Sequence, residues 1–177
     1  MSIDSFALLG LPRRFDLTPE QIESAYLRRA MAVHPDLLGP DEPPPSLDAA
    51  RLNAARDQLA DLEGRANLLL TLMGGPSKEQ DKSLPPGFLM EMMEVRETIE
   101  AEQADPALAA KWRGWALQKR AELSSQVSAL FARVGANAGA SPPPATLKEI
   151  RIALNAWRFF ERLIEQLDPS MSESSKH

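Results

Sequence analysis

The chain has no cysteine. It therefore forms no disulfide and cannot by itself hold an iron–sulfur cluster or a thiolate zinc site. Cysteine is not required by a reducing compartment, so its absence fits a cytoplasmic protein. Long hydrophobic runs are also missing: the apolar stretches span a few residues, whereas crossing a bilayer takes about 20. The opening Met1-Ser2-Ile3-Asp4 has neither the basic start nor the apolar stretch of a secretory signal, and no export or membrane partner is expected. No β-branched run alternates with polar residues between turn signals, so nothing reads as a strand. A basic excess is absent as well. The net charge is -5, and residues 1–75 carry seven arginines against eleven acids. The remainder carries thirteen basic residues against fourteen acids. That lacks the footprint of a nucleic-acid binder, which leaves proteins as the expected partners.

What is present is helical period and helix punctuation. With 177 residues, 44% of them hydrophobic, the chain can bury a core in one medium or two small domains. A short helix begins near Asp4 and stops at Gly10-Leu11-Pro12. The next has a full start signal: Thr18 as N-cap, Pro19 at the first position, Gln21 as capping-box partner, and Leu17 and Ile22 placed for a hydrophobic staple. It must end near His34, because Pro35 disfavours helical geometry in the residue before it. After a proline-rich loop, Ser46 is read as the cap of one long helix. Leu52, Ala55, Leu59, Leu62, Ala66, Leu69 and Met73 form its buried face, and Gly74-Gly75-Pro76 ends it. The reading gives a first unit over residues 1–75 and a linker over 76–85. A three-helix second unit covers 86–168, and a disordered serine-rich tail covers 169–177. In the second unit one helix starts at Asp105-Pro106, and Thr146 with Glu149 reads as the capping box of the last.

The segment Ala25-Tyr26-Leu27-Arg28-Arg29-Ala30-Met31-Ala32-Val33-His34-Pro35-Asp36 resembles the end of helix II and the loop of a J domain. Its context agrees: short helix, capped helix, His-Pro-Asp, long helix. Pro35 fixes its own φ and extends His34, so the imidazole projects from a stiff corner, and Asp36 adds a charged acceptor for an arginine. The resemblance implies that His34, Pro35 and Asp36 engage a DnaK/HscA-class chaperone ATPase and stimulate it, with Arg28 and Arg29 on the docking helix. Two other readings stay open. Pro35-Asp36 could simply end a helix, and His34 with Asp36 could be a catalytic dyad, although no nucleophile motif accompanies it. The resemblance is imperfect. Arg29 stands where the family usually has leucine, placed to snorkel at the core edge. Leu37-Leu38 replace the usual basic residues, and the outward face of Ser24, Leu27, Arg28, Met31 and Ala32 is only weakly basic. Asn53 matches the family's helix III asparagine, whereas the stretch 59–66 lacks a proline that relatives often carry.

In the second unit, Phe88, Met92, Val95 and Ile99 fall within about 60° of one another at 3.6 residues per turn and form a core stripe. Leu89, Met90 and Met93 point elsewhere, with Glu97 and Glu100 on their side and Arg96 at the margin. The last helix repeats this arrangement. Leu147, Ile150, Leu154, Trp157 and Ile164 make its core stripe, and Ile152, Phe159 and Leu163 make a second one. Trp112 and Trp115 read as core. Each second stripe either packs against the first unit or binds a partner, and methionines suit the latter.

The stretch Phe88-Leu89-Met90-Glu91-Met92-Met93-Glu94-Val95-Arg96-Glu97 resembles the opening helix of the C-terminal domain in HscB-type J-domain co-chaperones. The likeness runs from Phe6 to about Leu167. It implies an all-α protein, an N-terminal J domain joined to a C-terminal three-helix bundle, that binds an IscU-type iron–sulfur scaffold and delivers it to the chaperone. Leu89, Met90, Met93, Glu94, Arg96, Glu97 and Phe159 are the implied scaffold contacts. No catalytic residue, metal or cofactor is implied. A J protein with another client, or a helical interaction protein with a degenerate J domain, is the alternative.

Overall fold

The computed structural model describes residues 4–32, 46–102, 106–135 and 141–168. Seven α-helices and no strand occur among the described residues: α1 (Ser5–Leu9), α2 (Pro19–Ala32), α3 (Ser46–Ala60), α4 (Leu62–Leu72), α5 (Phe88–Glu102), α6 (Pro106–Gly135) and α7 (Pro144–Gln166). They belong to two compact units, Met1–Gly74 and Gly75–His177.

In the first unit, local signals act as read. Asp4 caps α1 by accepting from the Ala7 N–H. At its far end Gly10, at φ +68°, donates to the Ala7 carbonyl while Leu11 donates to Phe6, the paired bonds of a Schellman stop. Thr18 and Gln21 form a reciprocal capping box, the Thr18 N–H donating to Oε1 at 3.0 Å and the Gln21 N–H donating to Oγ1 at 3.3 Å. Leu17 and Ile22 are both buried, as a staple requires. Helices α1 and α2 pack on α3. Tyr26 donates its hydroxyl to Asn53 Oδ1 at 2.7 Å, and Glu23 faces Arg56, so α2 and α3 run antiparallel. Phe6, Leu9, Ile22, Leu52, Ala55 and Leu59 are buried, each large side chain contributing about 1.5–3 kcal/mol.

The expected single helix from Ser46 to Met73 is two helices. Asp61 is extended, at φ -72° and ψ 119°, and caps α4 by accepting from the Gly64 N–H at 2.7 Å. Arg65 then turns inward and is 2% exposed. Its Nε donates to the Leu59 carbonyl at 2.6 Å, and its NH1 donates to the carbonyls of Phe15 and Leu17 at 2.8 and 2.7 Å. One guanidinium thus satisfies the frayed end of α3 and the loop entering α2. The apolar period of three and four runs unbroken through Leu59, Leu62 and Ala66, so periodicity alone could not mark the break.

In the second unit, α6 and α7 form the most extensive helix pair. Phe88, Met92 and Ile99 of α5 join Ala116, Ala156, Phe160, Leu163 and Ile164 in one core, with Trp112 and Trp115 packed against it. Edge-to-face ring pairs run through this core: Phe88 with Phe160 at 5.8 Å, Trp115 with Phe160 at 5.6 Å, and Trp112 with Trp115 at 5.6 Å. Two expectations are corrected here. Thr146 does not cap α7. The helix starts at Pro144, whose fixed φ suits the first position, and the Thr146 and Leu147 N–H groups donate to the Pro143 carbonyl. Thr146 is buried within the first turn, and Glu149 instead lies 3.9 Å from Arg133. Leu163 is not part of an outward stripe: it is buried in one core with Phe88, Met92 and Ile99 of α5 and Ala116 of α6.

Candidate protein-docking site

The candidate scaffold contacts are carried by α5. Packing of Phe88 and Met92 into the core fixes the rotation of this helix. Residues a quarter to half a turn away must then face water. Leu89, Met90 and Met93 are 63%, 70% and 64% exposed. Glu94, Arg96 and Glu97 are exposed too. Three large apolar side chains left in solvent within five residues form a contiguous patch, which an ordinary surface seldom carries. Unbranched methionines let such a patch adapt to a partner.

Phe159 is half-buried beside this patch rather than fully on it. Its ring meets Phe88 edge-on at 5.5 Å and Phe160 at 6.1 Å. The Arg96 guanidinium lies 5.8 Å over its centroid. Of the seven candidate contacts, Leu89, Met90, Met93, Glu94 and Glu97 line one groove, while Arg96 pairs with the half-buried Phe159.

The exposed face is one side of a groove. Leu89, Met90, Met93, Glu94 and Glu97 line it from α5. Lys82, Leu84, Pro85 and Gly87 line it from the preceding segment, most of which lies in the expected linker over 76–85. That segment is built into the second unit. Asn155 of α7 donates from Nδ2 to the carbonyls of Asp81 at 3.0 Å and Ser83 at 2.9 Å. The Ser83 N–H donates to Asp81 Oδ1 at 2.8 Å. Hydrogen bonds from the Ser83 hydroxyl and amide hold the Asp81 carboxyl below its ordinary pKa. Gly87, at φ +77°, turns the chain into α5. Sequence reasoning missed this wall. The available signal was Asp81-Lys82-Ser83, the pattern of an Asx turn.

On α2, Arg28 and Arg29 are both exposed. Arg29 folds back so that its NH2 lies 3.1 Å from where a Cβ on Gly10 would stand. Leu27 and Met31 are 50% and 69% exposed beside Arg28. With Glu20 and Glu23 also exposed, the four charges of the helix cancel. His34, Pro35 and Asp36 lie outside the described residues. Among the described residues no group of three or more His, Cys, Asp or Glu could hold a metal ion, and no helix is long and apolar enough to cross a membrane.

Comparison with known proteins agrees with this architecture. Residues 84–168 match the family model of the HSCB C-terminal oligomerisation domain. The chain is 32% identical over 169 residues to a co-chaperone protein HscB homolog of Bordetella pertussis, covering 93% of this chain and 94% of that one. Among solved structures, it is similar in fold to chaperone HscB from Vibrio cholerae at a TM-score of 0.73 and 22% identity, over 97% of this chain and 99% of that one. Human co-chaperone protein HscB gives a TM-score of 0.74 at 22% identity, over 94% of this chain and 81% of that one. The fold is thus all-α, with an N-terminal J domain and a C-terminal helical bundle. By its sequence identity along nearly its whole length, this chain belongs to the HscB co-chaperone family.

Proposed function

We propose that this protein is a cytoplasmic co-chaperone that binds an IscU-type iron–sulfur scaffold through α5 and delivers it to a DnaK/HscA-class chaperone, whose ATPase it stimulates. The observation that carries the reading is the exposed Leu89/Met90/Met93 patch with Glu94 and Glu97 beside it. It lies within the span that matches the family's C-terminal domain. An apolar centre would bury on a partner while the carboxylates select basic neighbours, giving affinity and orientation respectively.

The mechanism is bridging. The second unit holds the scaffold, and the His34-Pro35-Asp36 turn triggers hydrolysis in the chaperone, which then closes on its client. The chain supplies no catalysis, metal or cofactor itself. Linking two weak contacts raises the effective concentration of scaffold at the chaperone, so neither contact needs high affinity.

Steady-state ATP hydrolysis by the chaperone tests this, run with this protein, with the scaffold, and with both. Synergy is expected. It should vanish in His34→Gln and fall in Met93→Ala, where loss of one buried side chain weakens scaffold binding about tenfold. The weakly basic outward face of α2 favours a second reading, a degenerate J domain. Asp36→Asn separates the two: loss of stimulation with an intact fold sinks the degenerate reading. Stimulation unaffected by the scaffold, with no binding to it, points to another client.

A further inference from the structure

The α5 groove has a second wall that is held more firmly than a linker would be. Two carbonyls that flank Lys82 accept from the single Asn155 amide, and the Ser83 N–H closes the turn onto Asp81. Upstream, Ser77 and Gln80 bond reciprocally, the Ser77 N–H donating to Oε1 at 2.8 Å. Downstream, Leu84 packs against the core that contains Phe88 and Met92, and the Phe88 N–H donates to the Pro85 carbonyl at 3.1 Å. Lys82 therefore stands on backbone fixed on both sides, while its own side chain is exposed and makes no ion pair among the described residues.

Charge is divided across this groove. Its α5 side carries Glu94 and Glu97 together with Leu89, Met90 and Met93, and its other side carries Lys82. A surface of that kind is not symmetric under reversal of its occupant. An apolar segment would seat one way, with a base toward α5 and an acid toward segment 82–85. Because the backbone under Lys82 is ordered during folding, binding does not bear that entropy.

We propose that Lys82 is a specificity-determining residue that pairs with an acidic side chain of the scaffold, and that Asn155 is the residue positioning it. This rests on the scaffold-binding reading of α5. The occupant is a segment of the scaffold with apolar side chains flanked by a base and an acid. Lys82 and its carboxylate partner fix direction of docking more than they add affinity.

Isothermal titration of the purified scaffold into the full chain tests the proposal. Met93→Ala serves as the control for the underlying reading and should bind about tenfold more weakly. Lys82→Ala should weaken binding about threefold, and Lys82→Glu about tenfold through like-charge repulsion. Asn155→Ala, checked for retained helicity, should cost about what Lys82→Ala costs, and the double variant should bind no more weakly than Asn155→Ala alone. That coupling would not arise if Asn155 merely supported the fold. If Met93→Ala weakens binding while both Lys82 variants bind like the parent, the inference is overturned and the scaffold reading stands. If Met93→Ala leaves binding unchanged, the scaffold reading falls and takes the inference with it. Additive losses in the double variant overturn the role of Asn155.

Discussion

Replacing Arg65 by alanine should unfold the first unit far more readily than any surface change. The guanidinium donates to the carbonyls of Leu59, Phe15 and Leu17 and is almost wholly buried. Burial pushes its pKa down, against the pull of Asp61 and Asp16, yet a guanidinium stays charged. Bonds from a charged donor contribute about 1.5–3 kcal/mol each, so three amount to roughly 5–9 kcal/mol before any offset. Relief of several kcal/mol of guanidinium desolvation offsets part of that, leaving a net loss of about 3–4 kcal/mol. Arg65→Lys retains the charge but loses the Nε donor and the fork, and should lose about 2 kcal/mol. Urea unfolding followed by two signals measures this. All three tryptophans lie in the second unit, so their fluorescence reports that unit, whereas far-UV circular dichroism reports both. A circular-dichroism transition shifted to lower urea is expected. A loss below about 1 kcal/mol for Arg65→Ala would refute the reasoning, since three orphaned buried carbonyls could not cost so little.

Other outcomes follow from neighbouring geometry. Gly64→Ala, which normally gains about 1 kcal/mol in a helix, should instead destabilise. The new Cβ would meet Asp61 Oδ2 at 2.9 Å and the Gln58 carbonyl at 3.0 Å, and a urea midpoint above that of the parent would contradict this. For Asp4, burial raises the pKa, but hydrogen bonds from Arg13 and Ala7 outweigh it and the value is lowered. Its stabilising effect is therefore complete above the unfolded value of about 3.9 and disappears as pH falls through the lower folded value. Asp4→Asn should accordingly be less stable than the parent at neutral pH and converge with it near pH 2, as pH-resolved urea titrations would show. Because the four exposed charges of α2 cancel, the concentration of this protein giving half-maximal chaperone stimulation should change less than about threefold between low and physiological salt. A steep salt dependence would show that docking relies on other charges.

Much of the site was legible because it depends on helix geometry. Once Phe88, Met92, Val95 and Ile99 are taken as core, a 100° step per residue sends Leu89, Met90 and Met93 outward, and they are exposed. Phe159 and Leu163 were not so simply read, because a single-helix wheel knows nothing of a second neighbour. The ring of Phe88 meets Phe159 edge-on, and Leu163 is buried in the core that α5, α6 and α7 share. The His34-Pro35-Asp36 turn was read from its motif and its helical context, and it lies outside the described residues.

Local signals in the chain set the ends of α1 and the start of α2, and periodicity marks the apolar face of α5. Caps such as Thr18 with Gln21, and stops such as Gly10, act across three to five residues. The break at Asp61, the role of Arg65 and the wall at segment 82–85 emerge from packing in three dimensions. For Arg65 and for the wall the deciding polar group meets distant partners, whereas the cap at Asp61 is local. Arg65 bonds carbonyls 48 and 50 residues away, and Asn155 bonds carbonyls 72 and 74 residues away. Periodicity records which face is buried, but it does not record which backbone will be waiting there.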